Sequence, residues 1–294
     1  MADAGIEVKL AATSGPGAAA ALGHEASRDE SNLVLVCGGD GTINEVINGM
    51  VPSRAPLGIL PGGTANITAK ELLLPHDPVR AAREVSKWRP RRIALGRVSW
   101  PATAGSANSQ AGSLDALDTE HRYFLSVAGV GFDAYVVYKL SLDFKTSFGV
   151  VAYGIEAVRQ TLRHAFPPLI CRFDGKHLDG TFAVIQRTRR YAGWLHLAPL
   201  ASLFESNLSI CVFTSRSRWR YFAYVAAVVA RMHPRLNDVT MVNAQRIHCA
   251  TVDTKDTIRF EVDGELAGRL PATFEVVPDA LTLLVPEFPA RRSS

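Results

Sequence analysis

The stretch LVLVCGGDGTINEVINGM, residues 33–50, constrains the fold more than any other part of this sequence. Its first five residues form a continuous apolar run, which predicts a strand buried on both faces, and residues 42–50 have the pattern of a helix. Glycine lets the backbone turn sharply and approach a ligand closely, and the N–H groups at a helix start attract anions. The unit therefore predicts a phosphate site in its turn, which consists of Gly38, Gly39, Asp40, Gly41 and Thr42.

The same turn carries a carboxylate and a candidate helix cap. Asp40 would repel phosphate unless a cation or a reacting proton is present, so contact with Mg²⁺ or with a hydroxyl nucleophile would explain it. Thr42 and Glu45 have the spacing of a capping box, which predicts where the helix starts. For a single glycine-rich turn, a tight strand-to-helix connection without a ligand is the structural alternative.

A second strand–turn–helix unit follows in LGILPGGTANITAKELLLP, residues 57–75. Its short apolar strand leads into a turn with Gly62 and Gly63, and a helix is predicted to start near Asn66. Two such units in succession are typical of neighbouring strands in a parallel sheet, whose helices start at the same crevice. Thr64 and Asn66 could donate hydrogen bonds to a phosphate or a base, or could act only as helix caps.

A third motif lies in TIRFEVDGELAGRLPATFEV, residues 257–276. Asp263 and Gly264 follow a predicted strand, and Asp-Gly is a favoured dipeptide of two-residue hairpin turns. From the residues alone, this motif predicts a hairpin without chemistry.

The order of the predicted elements divides the chain in two. Residues 1–91 alternate short strands with helices, which predicts a parallel sheet covered by helices. Residues 92–286 contain many short strands and few helices, which predicts a β-rich domain, and residues 287–294 are predicted to form a tail. The predicted strands are 6–10, 33–37, 57–60, 92–98, 123–128, 170–173, 181–186, 208–213, 244–250, 257–262, 272–277 and 281–285, the predicted helices are 17–27, 42–50, 67–73, 78–87, 150–163 and 221–232, and residues 101–119 are predicted to form a loop.

Composition narrows the class of protein. The 294 residues are 47% hydrophobic and 20% charged, which is ordinary for a globular protein with two cores. The four cysteines form no CxxC pair, so we expect buried free thiols and a reducing cytosol. The N-terminus lacks the pattern of a signal peptide, and the apolar stretch 221–230 is too short to span a membrane.

Positive charge is concentrated in residues 180–237, which hold eight arginines and one acid, Glu205. This predicts an anionic partner such as a membrane face or phosphate groups, although the charges could also lie scattered over a solvated surface. Residues 216–222 mix arginine with Trp219 and other aromatic residues, which suits the interface of an anionic bilayer; the start of a helix is the structural alternative. We expect no nucleic-acid partner.

In this order, the motifs resemble the diacylglycerol kinase catalytic family, specifically the bacterial soluble lipid kinases, with the sphingosine kinases as more distant relatives. The resemblance extends over nearly the whole chain, from about residue 4 to residue 286. The matching stretches are GGDGTINEVINGM, LGILPGGTANITAKELLLP, YFLSVAGVGFDAYVV, FGVVAYGIEAV, YAGWLHLAP and FEVDGE.

The resemblance implies a Rossmann-like α/β domain, a C-terminal β-sandwich domain and an active site in the cleft between them. It implies ATP and Mg²⁺ as cofactors and a lipid alcohol such as diacylglycerol as the acceptor. Asp263 would be the general base with Glu265 in support, and Asp40 would accept the proton if the chain follows the sphingosine kinases. The nucleotide would contact Gly38, Gly39, Asp40, Gly41, Thr42, Glu45, Gly62, Gly63, Thr64 and Asn66.

Three departures from the family pattern stand out. The family opens with a strand and an Asn-Pro, Gly-rich loop before the position of residues 6–10, so we expect a sheet without its first strand. Glu205 and Ser209 lie where the family usually has an Asp-Gly…Asp pattern that holds a structural Mg²⁺, so we predict no metal there. Lys70 stands where the family often has arginine, and lysine lacks the planar guanidinium that can donate two parallel hydrogen bonds to one anion.

Three functions are compatible with these features. The first is an active lipid kinase, cytoplasmic and peripheral at an anionic membrane surface. The second is a phosphotransferase of the NAD-kinase type, which would bind phosphate through a glycine-rich turn like that of residues 38–42. Residues 61–66 and the Asp-Gly hairpin argue against this function. The third is a lipid- or nucleotide-binding protein without turnover, motivated by the missing first strand. The sequence leaves a homodimer open.

Overall fold

The computed structural model of the chain describes residues 7–102, 119–132, 134, 166–191, 195–253 and 255–287. The chain divides into two compact units. The first consists of Met1–Ala94 with Pro278–Ser294, and the second consists of Leu95–Val277.

The first unit has the alternation of helices and parallel strands that the sequence predicts. Its elements are α1 (Ala18–Ala26), β1 (Val34–Gly38), α2 (Asp40–Met50), β2 (Pro56–Pro61), α3 (Ile67–Glu71) and α4 (Pro78–Glu84), which continues as a 3₁₀ turn, Val85–Lys87. Strands β1 and β2 pair in parallel, from Val34 with Leu57 to Gly38 with Pro61. Two strands that are each followed by a helix give the α/β arrangement.

The predicted strand at residues 6–10 is wrong over its described part. Residues 7–14 have no regular structure, and Val8 and Leu10 are exposed. A strand needs a partner for its backbone hydrogen bonds, and alternating apolar residues alone do not supply one. Among the described strands, β1 therefore pairs only with β2.

Helix α2 is fixed by its buried face and by close contact with α1. Ile43 and Ile47 are almost fully buried. On the α1 side, a Cβ atom added at Gly49 would lie 2.0 Å from the Ala20 carbonyl oxygen. Only glycine permits this approach of two helix backbones, and the contact holds the C-terminal end of α2 against α1.

The boundary between the units falls inside two long strands, β3 (Arg89–Pro101) and β16 (Ala272–Val285). At its C-terminal end β16 pairs in parallel with β2, through Thr282 and Leu283. Residues from Pro278 onward belong to the first unit for this reason, whereas the sequence-based division assigned all residues up to 286 to the second domain. The sequence also split this strand into 272–277 and 281–285.

The second unit is a β-sandwich, as expected. Besides β3 and β16, the strands are β4 (Thr119–Phe124), β5 (Val127–Gly131), β6 (Leu169–Phe173), β7 (Lys176–Gly180), β8 (Phe182–Gln186), β9 (Arg190–Tyr191), β10 (Leu195–His196), β11 (Leu208–Phe213), β12 (Val239–Ala244), β13 (Arg246–Thr251), β14 (Arg259–Val262) and β15 (Glu265–Arg269). One antiparallel sheet has the strand order β12-β11-β8-β5-β14-β15. In the other, β13 lies between β16 and β6, β6 also pairs with β7, and β3 pairs with β16 and β4.

The core of the sandwich is built from aromatic and branched side chains of both sheets. Phe260 is fully buried and packs edge-on against Trp100 and Phe274, with ring centroids 5.2 and 5.6 Å away. Such edge-to-face contacts fix ring orientation in addition to burying area. Phe260 lies three residues before Asp263, so this core anchors the strand that leads into the Asp-Gly turn.

An α-helix, α5 (Arg218–Val229), packs on the second unit, and a 3₁₀ turn, His233–Arg235, follows it. Helix α5 starts three residues before the predicted helix 221–232. The predicted helix 150–163 lies outside the described residues, as do most of the predicted loop 101–119 and of the tail. Among the described helices, none is both long enough and apolar enough to cross a membrane.

The cysteines follow the prediction with one exception. Cys171, Cys211 and Cys249 are buried free thiols, and burial raises the pKa of Cys211 to about 12. Cys37 is exposed, contrary to expectation. It lies on β1, and among the described strands only β2 pairs with β1.

Candidate functional site

The two glycine turns of the first unit touch each other, backbone against backbone. The Gly62 N–H group donates to the Gly38 carbonyl, with 2.9 Å between nitrogen and oxygen. A Cβ atom added at Gly63 would lie 2.4 Å from the Gly39 Cα atom. None of these glycines has a positive φ. Glycine is therefore required here because the two turns approach each other closely. The sequence argument also invoked the sharp turn that glycine allows, but none of these positions needs left-handed backbone angles.

Asp40 joins the two turns. It is the first residue of α2, and its carboxylate accepts hydrogen bonds from the backbone N–H groups of Ile67 (3.2 Å) and Thr68 (3.4 Å) at the start of α3. Burial raises the pKa of Asp40, and the two N–H groups and the charge of Lys70 oppose that rise. Asp40 thus links the first turn to the second, which the sequence did not predict. Its contact with a cation or a hydroxyl stays a prediction.

Asn66 shapes the second turn through its amide group. Its Oδ1 atom accepts from Gly63 N–H (2.9 Å), and its Nδ2 atom donates to the Gly63 carbonyl (2.7 Å). The backbone of Asn66 is left-handed, with φ of 46°, a conformation that asparagine tolerates better than most residues. Asn66 lies at the N-cap position of α3, but its side chain makes no capping hydrogen bond. Gly62, Gly63 and Thr64 are exposed, so the turn that Asn66 holds is accessible to a ligand.

The capping-box prediction for Thr42 and Glu45 is wrong. Helix α2 starts at Asp40, after Gly39 with extended backbone angles, and no side chain caps it. Thr42 is instead the third residue of α2 and packs close to Gly38, where an added Cβ would lie 2.8 Å from the Thr42 Cβ. Glu45 Oε2 accepts a hydrogen bond from the Gly17 N–H group (3.0 Å). Glu45 thus ties α2 to the start of α1, and its contact with a nucleotide stays a prediction.

In the second unit, Asp263 and Gly264 form the predicted hairpin turn between β14 and β15. Both have positive φ, 48° and 88°, as a type I′ turn requires. The Asp263 carboxylate accepts three backbone hydrogen bonds, each 2.9 Å long, from the N–H groups of Leu125, Ser126 and Val127. The turn therefore does more than reverse the chain, because it aims a half-buried carboxylate at the segment 125–127.

Two glutamates support this hairpin. Glu265 makes an ion pair with Arg122, 2.6 Å between oxygen and nitrogen, and its side chain is 43% exposed. Glu261, which the sequence reasoning missed, is buried and accepts from the Gly264 N–H group at 2.7 Å. Glu261 lies between Phe260 and Val262, which both belong to the sandwich core, so strand alternation places it on the opposite face and the sequence offered no signal of its burial.

Arg187 is a second residue that the sequence reasoning missed. It is almost fully buried and donates to the backbone carbonyls of Leu203 (2.9 Å), Asn207 (2.7 Å) and Glu205. Burial lowers the pKa of Arg187 to about 10, so the guanidinium is still charged at neutral pH. It also donates through its backbone N–H to the Ser126 carbonyl, which connects this cation to the segment that holds Asp263.

Arg187 explains how the segment around Glu205 is held. Three carbonyl groups of residues 203–207 converge on its guanidinium, in a part of the chain for which we predicted no metal. Ser209 donates to the Asn243 side chain (2.9 Å), and the Glu205 carboxylate accepts from Asn207 (3.1 Å). Within the described ranges, no group of three or more His, Cys, Asp or Glu side chains is arranged to hold a metal ion.

Comparison with known proteins agrees with this arrangement. Residues 1–98 match the model of the diacylglycerol kinase catalytic domain, and residues 126–285 match the YegS C-terminal NAD kinase beta sandwich-like domain. The diacylglycerol kinase of Bacillus subtilis (strain 168) is 26% identical over 275 residues, 92% of this chain and 83% of that protein. That of Staphylococcus carnosus (strain TM300) is 25% identical over 282 residues, 93% of this chain and 83% of that protein.

Solved structures show the same fold. A crystal structure of a diacylglycerol kinase from Bacillus anthracis str. Sterne matches with a TM-score of 0.64 and 20% identity, over 94% of this chain and 84% of that chain. Another solved chain from that organism matches with a TM-score of 0.70. The resemblance found in the sequence is thereby confirmed. The two family models together account for most of the chain, which belongs to the diacylglycerol kinase catalytic family, a family of phosphotransferases with an alcohol group as acceptor.

Proposed function

We propose that this protein is an ATP-dependent lipid kinase that phosphorylates the hydroxyl of a lipid alcohol such as diacylglycerol. The observation that carries the proposal is the contact between the two glycine turns, with Gly62 bonded to Gly38 and Gly63 against Gly39. Side chains at Gly62 and Gly63 would collide with the facing turn and push the two turns apart, which would change the backbone that faces a phosphate chain. The names of the relatives supply the lipid acceptor.

The first unit provides the phosphate site in this proposal. The turn before α2 offers N–H groups at the positive end of an 11-residue helix, and the exposed Gly62, Gly63 and Thr64 lie beside it. Asp40 is suited to a cation, because burial disfavours its charge and a cation would compensate that cost. Mg²⁺, when bound, would neutralise charge on the phosphate oxygens.

The second unit provides the group that accepts the hydroxyl proton. A carboxylate that orients the attacking hydroxyl and takes its proton late is sufficient for phosphoryl transfer. Asp263 fits this role because three N–H groups fix its orientation, and Glu265 would support it through its ion pair with Arg122. Asp40 is the alternative acceptor, and its substitution has to be compared with that of Asp263.

A transfer assay tests the proposal. Purified protein is incubated with labelled ATP, Mg²⁺ and mixed micelles that contain a panel of lipid alcohols, with NAD as a separate acceptor. We expect label in one lipid and its loss in Asp40→Asn and Asp263→Asn. Asp174→Asn is the matched control, since Asp174 starts another Asp-Gly turn of the second unit with φ of 47°.

Three other results would contradict the proposal. Label in NAD rather than in a lipid would assign the chain to the NAD-kinase type. ATP binding without transfer to any acceptor would make it a binding protein. Equal activity of all variants on a lipid would contradict the roles proposed for Asp40 and Asp263.

The reaction would take place where ATP and a membrane lipid meet, so we place the protein in the cytoplasm, peripheral at an anionic membrane surface. The basic character of residues 180–237 supports this placement, because anionic lipids attract arginine-rich surfaces.

A further inference from the structure

Helix α5 has an unusual outer face. A surface helix normally carries polar residues on the side away from its core, but residues 221–230 contain no charged, hydroxyl or amide side chain other than two tyrosine hydroxyls. The tyrosines are buried, whereas Trp219 is 73%, Val225 56% and Val229 51% exposed. Helix α5 is therefore apolar towards the protein and towards the solvent.

The inner face of α5 is locked, so the outer face cannot turn inward. Tyr221 shares a 2.7 Å hydrogen bond with Thr181. The Arg220 guanidinium donates twice to Asp238, at 2.7 Å each, and the Tyr224 hydroxyl donates to the same carboxylate at 2.7 Å. Two tyrosines and a bidentate ion pair fix the rotation of α5 about its axis.

The charges that flank α5 in the sequence are positive. Arg216 and Arg218 precede the apolar stretch, and Arg231 and Arg235 follow it. From residue 206 to residue 237 the sequence contains no acid. The first acid beyond is Asp238, which is engaged by Arg220. The apolar face thus lies between two pairs of cations.

We propose that the outer face of α5, with Trp219, Val225 and Val229 at its centre, docks on the surface of an anionic membrane. An interfacial helix has this composition: apolar residues enter the boundary between headgroups and acyl chains, and cations contact the lipid phosphates. Trp219 is of the residue type that is enriched at that depth. The proposal rests on the proposed function, because a lipid kinase has to reach a substrate that stays in a bilayer.

A second copy of this chain is a less suitable occupant. In a two-fold symmetric dimer the same face contacts itself. The arginines at the ends of one α5 would then lie near those of the other without an acid between them, and like charges repel. An anionic lipid surface meets both the apolar residues and the charges.

Flotation with vesicles tests the docking surface on the full-length protein and without ATP. The vesicles consist of phosphatidylcholine alone or of phosphatidylcholine with phosphatidylglycerol. We expect the protein to float with the anionic vesicles only. The double variant Trp219→Ser/Val229→Ser should float about tenfold less, since two apolar side chains no longer leave water.

Two further variants separate charge and specificity. Arg216→Gln/Arg235→Gln should weaken flotation, and the difference from the unmodified protein should shrink at high salt. Val252→Ser is the matched control, because Val252 is 59% exposed on the same unit but lies outside α5. Unchanged flotation of the Trp219/Val229 variant, or equal loss in Val252→Ser, would overturn the proposal. So would a dimer that this variant splits without any change in vesicle binding.

An activity measurement distinguishes this inference from the proposed function. A short-chain diacylglycerol dissolved in water reaches the protein without a membrane. We expect Trp219→Ser/Val229→Ser to keep the rate on the dissolved substrate and to lose it on long-chain diacylglycerol in vesicles. If the unmodified protein phosphorylates neither substrate, the proposed function fails, and flotation still decides whether α5 docks.

Discussion

Asp263 combines two tasks, and a substitution there has to be designed to separate them. In the proposed function Asp263 accepts the proton of the substrate hydroxyl. In the structure its carboxylate also accepts hydrogen bonds from three backbone N–H groups of residues 125–127. Loss of activity in Asp263→Asn could therefore follow from a lost base or from a loosened segment. The free energy of unfolding separates the two explanations.

The expected loss of stability follows from the three hydrogen bonds. A hydrogen bond to a charged group contributes about 1.5–3 kcal/mol, and the half-buried position of Asp263 allows water to replace part of each bond. For Asp263→Ala we expect a loss of about 3–5 kcal/mol in the free energy of unfolding. Asp263→Asn retains one oxygen as an acceptor but turns an amide donor towards an N–H group, so about 1.5–3 kcal/mol should be lost.

The control is the other Asp-Gly turn of the second unit. Asp174 and Gly175 have φ of 47° and 71°, close to those of Asp263 and Gly264, and Asp174 is exposed. Within the described ranges, no N–H group from outside its own turn donates to the Asp174 carboxylate. Asp174→Ala therefore carries the cost of a left-handed alanine without the cost of the lost bonds, and the difference between the two alanine variants isolates the carboxylate.

Urea unfolding gives the free energies, and the transfer assay is run where each variant is still folded. If Asp263 is the base, Asp263→Asn should lose a factor of about 10² or more in rate while remaining folded. If Asp263→Ala is destabilised no more than Asp174→Ala, the three hydrogen bonds contribute nothing and the structural reasoning is refuted. A folded Asp263→Asn with full activity would refute the base assignment instead.

Three further predictions follow from the described contacts. Gly63→Ala should weaken ATP binding, since its Cβ would displace the facing turn at a cost of about 1–3 kcal/mol. Titration calorimetry measures the ATP affinity. Gly15→Ala is the control, because nothing lies within 4 Å of a Cβ atom at that position. Arg187→Met should cost about 3–5 kcal/mol in urea unfolding, because buried carbonyls lose their cation. Arg220 lowers the pKa of Asp238 from 3.8 to about 2, so the pair stabilises the fold above pH 3.8, and this stability is lost as the pH falls towards 2. Asp238→Asn should flatten the dependence of stability on pH in that window.

Each of these expectations has a contrary result. Equal ATP affinity of Gly63→Ala and Gly15→Ala would mean that the two turns separate without cost. A change below about 1 kcal/mol in Arg187→Met would mean that water satisfies the carbonyls of residues 203–207. If the free energy of unfolding of Asp238→Asn falls between pH 3.8 and 2 as steeply as that of the unmodified protein, the ion pair with Arg220 does not form in solution.

Hydrophobic pattern was sufficient to predict an α/β part followed by a β-rich part, with most of their elements, while the β-sandwich was implied by the family resemblance. The strand 208–213 is found as predicted, and β1, β2 and α2 differ from their predicted ranges by one or two residues. In these segments the spacing of the apolar residues matches the positions that a strand or helix buries, so the pattern predicts the element. Residues 6–10 show the limit of the method, because the pattern of a strand does not supply the neighbour that a strand requires.

The contacts of the candidate site could not be predicted in this way. Asp40 contacts residues 27 and 28 positions away, and Asp263 contacts residues 136 to 138 positions away. No local period encodes such distances, since they depend on which strands become neighbours. The sequence identified these residues by type and by their place beside glycine, and the structure supplied their partners. Arg187 was missed because arginine is almost never fully buried without a partner, and its partners are backbone carbonyls.

The polar side chains predicted to bind ligands share a structural role that changes how they should be tested. Asn66 directs polar atoms at Gly63, Asp263 at residues 125–127, and Asp40 at the first N–H groups of α3, which follows the second glycine turn. A turn that approaches a ligand through its backbone has no side chain to hold it, so neighbouring residues must fix its shape. Loss of activity on substitution is therefore expected whether or not such a residue touches substrate. Only a variant that keeps the hydrogen bonds while changing the charge, compared with a matched turn elsewhere in the chain, assigns the chemistry.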